Sequence, residues 1–175
     1  MGAGVGLIPD RVSIHQRPDS VEGRKEFGHF EMDPIQNGKD FILTVTVRKT
    51  RFLLMERLAN GKNAAGVAKA VIRLLKPFKK HVLSITTDNG SEFARHKLVS
   101  KALNAPVFFT DPYSSWQKGT IENTNNLIRQ YIDKQMNISN LSHNKLLTIQ
   151  NKLNYRPRKV LNFIHPTELF YNFAC

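Results

Sequence analysis

The order of elements along the chain predicts an α/β fold: a mixed five-stranded sheet with helices on both faces. Two observations carry that expectation. Three short strands follow one another through tight connections, which implies an antiparallel meander. Helices and strands then alternate, which implies crossovers to parallel neighbours.

The elements can be justified in order. Residues 1–27 contain Gly2, Gly4, Gly6, Pro9 and Pro18 without sustained periodicity, and are expected to form an extended arm. Residues 28–175 are expected to form the core domain. His29–Ile35 reads as the first strand, and Asn37-Gly38 supplies a turn that tolerates positive φ. Phe41, Leu43, Val45 and Val47 alternate with Ile42, Thr44, Thr46 and Arg48, the pattern of a half-buried strand. Phe52–Leu58 completes the meander. Val67, Val71, Leu74 and Leu75 recur at helical spacing over residues 63–76, and Pro77 is expected to stop that helix. Val82–Thr87 is β-branched and alternating, so a fourth strand follows. Residues 91–103 read as helix and Val107–Phe109 as a fifth strand. A helix is expected from Trp116 or Thr120 to Asp133, another over Ser142–Leu153, and a short one from Pro166-Thr167. The crossover after the third strand should lay the fourth beside the first.

Composition narrows the function. The chain has 175 residues, with 26 Lys and Arg against 14 Asp and Glu, a formal charge of +12. Such an excess suits a polyanion, most often nucleic acid. The charge is uneven: residues 61–101 carry Lys62, Lys69, Arg73, Lys76, Lys79, Lys80, Arg95, Lys97 and Lys101 against only Asp88 and Glu92. The single cysteine, Cys175, excludes an intrachain disulfide and favours a reducing compartment. No apolar run approaches the ~20 residues that span a bilayer, and the N-terminus lacks the basic start and apolar run of a signal peptide. A cytoplasmic protein without a membrane partner is expected.

Three acids occupy suggestive places. Asp33 lies inside the first strand, on one face with His29, Glu31 and Ile35. Asp88 ends the fourth strand, and Glu122 sits in the early turns of the helix after the fifth. With the first and fourth strands adjacent, the three can converge. Converging carboxylates repel unless cations neutralise them, and hard oxygen donors suit Mg²⁺ or Mn²⁺. Two such ions can activate an attacking oxygen and stabilise a leaving one in phosphoryl transfer. Each acid also has a plainer use: Asp88-Asn89-Gly90 is a turn signal, and Glu122 favours a helix N-terminus.

The stretch Thr87-Asp88-Asn89-Gly90-Ser91-Glu92-Phe93, then Asp111-Pro112-Tyr113-Ser114-Ser115-Trp116-Gln117-Lys118-Gly119-Thr120-Ile121-Glu122-Asn123, resembles the catalytic core of bacterial DDE transposases of the insertion-sequence family numbered thirty. Thirty-three residues separate Asp88 from Glu122, the spacing of that family. Gly28-His29-Phe30-Glu31-Met32-Asp33 resembles the segment bearing its first aspartate. Asn123–Tyr131, Leu153–Lys159 and Ile8–Ile14 match as well, so the resemblance covers nearly the whole chain.

The resemblance implies a ribonuclease-H-like fold of the integrase superfamily and two divalent ions held by Asp33, Asp88 and Glu122. It implies DNA, at transposon ends and at the target, as the partner, with strand cleavage and strand transfer as the reaction. An active homo-oligomer is expected by the same analogy. Asn89 and Glu92 stand beside Asp88 as supporting groups. Asn126, Arg129 and Asp133 would share a helix face with Glu122, near phosphates or in solvent. Trp116 suits either base stacking or packing. Lys118 and the cluster Arg156, Arg158 and Lys159 suit the DNA backbone.

Two departures qualify the resemblance. Family members carry helix-turn-helix segments upstream, whereas this chain begins in the linker, so it should lack recognition of element ends. Pro34 follows Asp33, where a central strand would lose a ladder hydrogen bond. A non-catalytic remnant that binds DNA or full-length transposase is the alternative, and a related ribonuclease-H-like nuclease a third.

Overall fold

A computed structural model describes residues 8–175. Its strands are β1 (Val12–Ser13), β2 (His29–Asn37), β3 (Asp40–Val47), β4 (Leu53–Leu58), β5 (Ser84–Thr87) and β6 (Val107–Phe109). Its α-helices are α1 (Ala64–Leu75), α2 (His96–Leu103), α3 (Gly119–Ile128), α4 (His143–Asn154) and α5 (Pro166–Ala174).

The meander and both crossovers form as expected. β3 pairs antiparallel with β2 and β4, while β5 runs parallel to β2 and to β6. The sheet nevertheless has six strands, in the order β1-β6-β5-β2-β3-β4. The additional one, β1, comes from the segment read as an arm and pairs parallel with β6 through Val12↔Phe108 and Ser13↔Phe109. Two residues are too few to show a period of two, so the pattern alone could not reveal them.

Alternation sends the two faces of the sheet into separate cores. Phe30, Met32, Val45 and Ile85 pack with α1, α2 and Phe170 of α5. On the opposite face, Ile35, Ile42 and Met55 pack with Ile128, Leu146, Ile149 and Leu153 of α3 and α4. The second face carries the acids Glu31 and Asp33, so the site is built beneath α3.

Local chemistry fixes the element ends. Asn63 caps α1 through the Gly66 N–H at 2.8 Å. α1 ends at Leu75 with Lys76 as its C-cap, just before Pro77 as expected, and the chain continues as 3-10 turns over Lys76–His81. The helix expected over 91–103 divides into a 3-10 turn at Ser91–Phe93 and α2, which ends with Asn104 in the left-handed region. The hairpin turn is Gly38-Lys39, since Asn37 remains paired with Asp40. Gly28, at φ +107°, is required where β2 meets β5. A Cβ there would stand 2.3 Å from the His81 carbonyl oxygen.

Pro34 sits in β2 without disturbing the ladder. Arg48 donates its N–H to the His29 carbonyl at 2.9 Å, so odd-numbered β2 residues turn their backbone groups toward β3. Pro34 is out of phase and turns its nitrogen the other way. On that side the pairing with β5 has already ended at Glu31↔Thr86. No donor is missed there.

Candidate active site

β2 and β5 run side by side and deliver Asp33 and Asp88 to the same end of the sheet. The segment entering α3, with a 3-10 turn at Ser115–Lys118, lies across that end. The Lys118 ammonium reaches between the two acids, 2.8 Å from Asp33 Oδ1 and 3.1 Å from Asp88 Oδ2. Lys118 is buried, whereas Asp88 keeps about two-fifths of its side chain in solvent.

The remaining oxygens are held as well. Asn125 on α3 donates to Asp33 Oδ2 at 2.9 Å. The Thr44 hydroxyl lies 2.8 Å from the Asp33 carbonyl and 3.0 Å from Asn125 Oδ1, which fixes the amide's orientation. The Gly90 N–H donates to Asp88 Oδ1 at 2.9 Å, the turn bond that Asp-Asn-Gly favours. Asn89 donates to the Thr110 carbonyl at 2.6 Å and accepts from Arg11.

The environments push the two acids apart. Burial raises the Asp33 carboxyl above the ordinary range, and the Lys118 charge offsets this only in part. Burial also acts on Asp88, but the Lys118 charge and the Gly90 N–H outweigh it and hold the carboxyl below that range. Burial would lower Lys118, yet the two carboxylates raise it above its usual value. One cation shared by two acids is the electrostatic content of the site.

Glu122 lines the same cavity, of about 780 Å³, together with Asp33, Asp88, Asn89, Lys118 and Asn126. Its side chain is exposed, and among the described residues no three His, Cys, Asp or Glu side chains group closely enough to hold a metal ion. The cavity therefore collects all three acids, while the close contact is between two acids and a lysine. The donor chemistry fits a divalent ion: Asp33 and Asp88 already share one cationic group, and both offer hard oxygen.

Several expectations are corrected by this geometry. Lys118, read as a backbone contact for DNA, is buried against the aspartates. Glu92 is buried on the other face of the sheet, near Met32 and α1, with Lys62 3.7 Å away. α3 ends at Ile128, so Arg129 and Asp133 do not continue the Glu122 face. Arg129 instead braces the end of β2, bonding Asn37 and the Gln36 carbonyl. Trp116 is 73% exposed and borders a separate depression with Arg17 and Gln117, so it is not packed in a core among the described residues. The cluster Arg156, Arg158 and Lys159, expected at the DNA backbone, is not corrected: it lines another groove along α3, apart from the acids.

Sequence reasoning missed Asn125, Thr44 and Arg11. Asn125 was within reach, because it follows Glu122 by three residues and so lies one helical turn away. Lys118 precedes Glu122 by four and carried the same signal. Thr44 and Arg11 come from distant segments and gave none. A further buried pair, Glu31 with Arg48, lies under the start of α3, where Glu31 accepts the Ile121 N–H at 2.7 Å.

No protein-family model matches the chain. It is 44% identical over 170 residues to the transposase for insertion sequence element IS4351 of Bacteroides fragilis, covering 96% of this chain and 52% of the relative. The transposase for IS1086 of Cupriavidus metallidurans is 40% identical over 94% of this chain and 49% of its own length. Transposase InsI for IS30A of Escherichia coli is 37% identical over 93% of this chain and 43% of its own length. Among solved structures, the catalytic core domain of BIV integrase superposes with a TM-score of 0.63 at 18% identity, covering 83% of this chain and 94% of that one. That likeness establishes the ribonuclease-H-like integrase-core fold. The chain spans about half the length of the curated relatives it matches, and over nearly all of its own length it is similar to insertion-sequence transposases, that of IS30A among them.

Proposed function

We propose that this chain is a DDE transposase catalytic core that cleaves and joins DNA strands with Mg²⁺ or Mn²⁺. The observation that carries the reading is the meeting of Asp33 and Asp88 on one cationic position, in a cavity that Glu122 also lines. Asp33, Asp88 and Glu122 would hold the ions, two per site by analogy with the family. Bound there, a divalent ion lowers the pKa of an attacking hydroxyl and neutralises developing phosphoryl charge.

The protein's own groups prepare that site. Asn125 and Thr44 fix Asp33, and the Gly90 N–H fixes Asp88. Lys118 neutralises the pair in the metal-free protein. Arg11 and the +12 charge favour the phosphate backbone. DNA at the element's ends and target, a homo-oligomeric assembly and a location on bacterial nucleoid DNA belong to the same proposal. No helix among the described residues is long and apolar enough to cross a membrane.

The test is strand cleavage and joining on an oligonucleotide with a pre-exposed 3′-hydroxyl, at low salt with Mn²⁺. Wild type should form joined product, while Asp33→Asn, Asp88→Asn and Glu122→Gln should fall to background. An Asp88→Asn variant as active as wild type would sink the assignment. A second reading, a DNA-binding remnant without catalysis, is favoured by the exposed Glu122 standing outside the close group. It predicts DNA binding with no Mn²⁺-dependent product in any variant.

A further inference from the structure

A second cavity, of about 260 Å³, lies along α3 away from the carboxylates. Thr120 and Asn123 line it from the helix, Arg51 from the β3–β4 turn, and Arg156, Arg158 and Lys159 from the segment after α4. One helix thus separates two sites, because Glu122, Asn125 and Asn126 line the acidic cavity.

The charges in this groove have no counter-ion among the described residues. Among the described residues none of Arg51, Arg156, Arg158 or Lys159 forms an ion pair. Glu31 is the carboxylate whose field reaches Arg51, and it is already committed to Arg48 and to the Ile121 N–H. Two buried side-chain nitrogen or oxygen atoms among the described residues lack a hydrogen-bond partner: Arg51 Nε and Arg158 Nε. Both belong to this groove. Unsatisfied buried donors are rare and costly, so two among the residues of one groove mark it as electrostatically uncompensated.

The guanidinium groups are otherwise held in position. Arg51 donates to Thr120 Oγ1 at 2.7 Å, Arg158 to the Leu153 carbonyl at 3.0 Å, and Arg156 to Gln130 Oε1 at 3.1 Å. Arg51 is also at φ +61°, a left-handed conformation that a non-glycine side chain adopts at a cost. Burial, with the nearby charge of Arg24, pushes the Arg51 guanidinium down to about 10. Burial and Arg156 lower Arg158.

We propose that this groove is a phosphate-binding site, in which Arg51 and Arg158 grip one phosphodiester of a DNA strand that also reaches the carboxylates across α3. Planar guanidinium forks match phosphate oxygens in pairs, and the cavity exceeds the volume of a phosphate with several waters. The choice of DNA as the source rests on the function proposed above. The anion site itself does not.

The experiment compares wild type with Arg51→Met, Arg158→Met and, as a control on an exposed base elsewhere, Lys101→Met. Thermal midpoints are measured in inorganic phosphate and in chloride at matched ionic strength. Affinity for a duplex oligonucleotide is measured across a salt series without divalent ions. Phosphate should raise the midpoint of wild type and Lys101→Met more than that of either arginine variant. In chloride, both arginine variants should melt at or above wild type, because an uncompensated half-buried charge is gone. Arginines that were merely structural would give lower midpoints instead, and that result overturns the proposal. Each arginine variant should bind DNA about tenfold more weakly, with the salt slope reduced by about one.

An equal phosphate shift in all four proteins would overturn the site, since kosmotropic anions stabilise any fold. A phosphate shift lost in both arginine variants, with wild-type DNA affinity and slope retained, would overturn the DNA source and leave a small-anion site. DNA binding absent from wild type, with the phosphate shift intact, would count against the proposed function and the DNA source while sparing the anion site.

Discussion

Lys118 is the residue on which the metal-free site turns. Two carboxylates at this distance need a cation, and the protein supplies one from its own chain. Lys118→Met should therefore destabilise the protein in chelator by about 1–2 kcal/mol. That is less than the loss of a partner from a fully buried pair, because Asp88 is substantially solvated. Mn²⁺ should raise the thermal midpoint of the variant more than that of wild type, since no ammonium competes for the aspartates. Equal Mn²⁺ shifts in both proteins would show that ion and lysine do not share a position. At the same scale, sequence reasoning brought Asp33 and Asp88 together because the first and fourth strands were expected to be neighbours, with Asp33 unusual as an acid inside a strand. It put Lys118 at the DNA backbone because lysine is usually exposed.

Among the elements, β4 and its cover show how the sheet edge is closed. β4 is the outer strand, so one row of its backbone groups lacks a strand partner. Asn154 on α4 supplies both halves of a substitute pair, donating to the Leu53 carbonyl and accepting the Leu53 N–H, each at 2.8 Å. Gln150, one turn earlier, accepts the Met55 N–H at 2.8 Å. Asn154→Leu should cost about 2–4 kcal/mol in denaturant unfolding, because two buried backbone groups lose their partners. A loss under about 0.5 kcal/mol would mean that the edge finds other partners. The helical spacing of α4 was legible in the sequence. That two of its polar residues face a strand was not, since a polar residue on a helix reads as solvent-facing until the strand beside it is known.

At the scale of the whole molecule, charge dominates the outlook. The +12 net charge and two cavities bearing basic groups along α3 predict non-specific DNA binding driven by counterion release. Affinity for duplex DNA should fall by about a hundredfold or more between about 50 and 200 mM salt, as expected for several phosphate contacts. Fluorescence anisotropy across that range checks it, and a flat profile would contradict a phosphate-centred interface. The layered build serves the same end. One face of the sheet is sealed by α1, α2 and α5 around a largely apolar core, with Glu92 and His96 buried beside it. The other is left to α3 and α4, beneath which Glu31, Thr44 and Asp33 can be held in a polar column.

The sequence by itself determined the meander and the crossovers, and it singled out three acids as candidates. Each is a local signal: alternation in β3, helical recurrence in α1, and an acid inside β2, at a strand end or near a helix start. The tertiary structure alone decided what those acids meet. It turned a two-residue segment into β1, aimed Pro34 past the end of β5, and drew Lys118 between Asp33 and Asp88. It also separated Arg51 and Arg158 from the carboxylates by the width of one helix. The physical reason is common to all four. Periodicity reports which side of an element is buried, whereas charge compensation, hydrogen-bond closure and edge pairing depend on which distant segment packs against it.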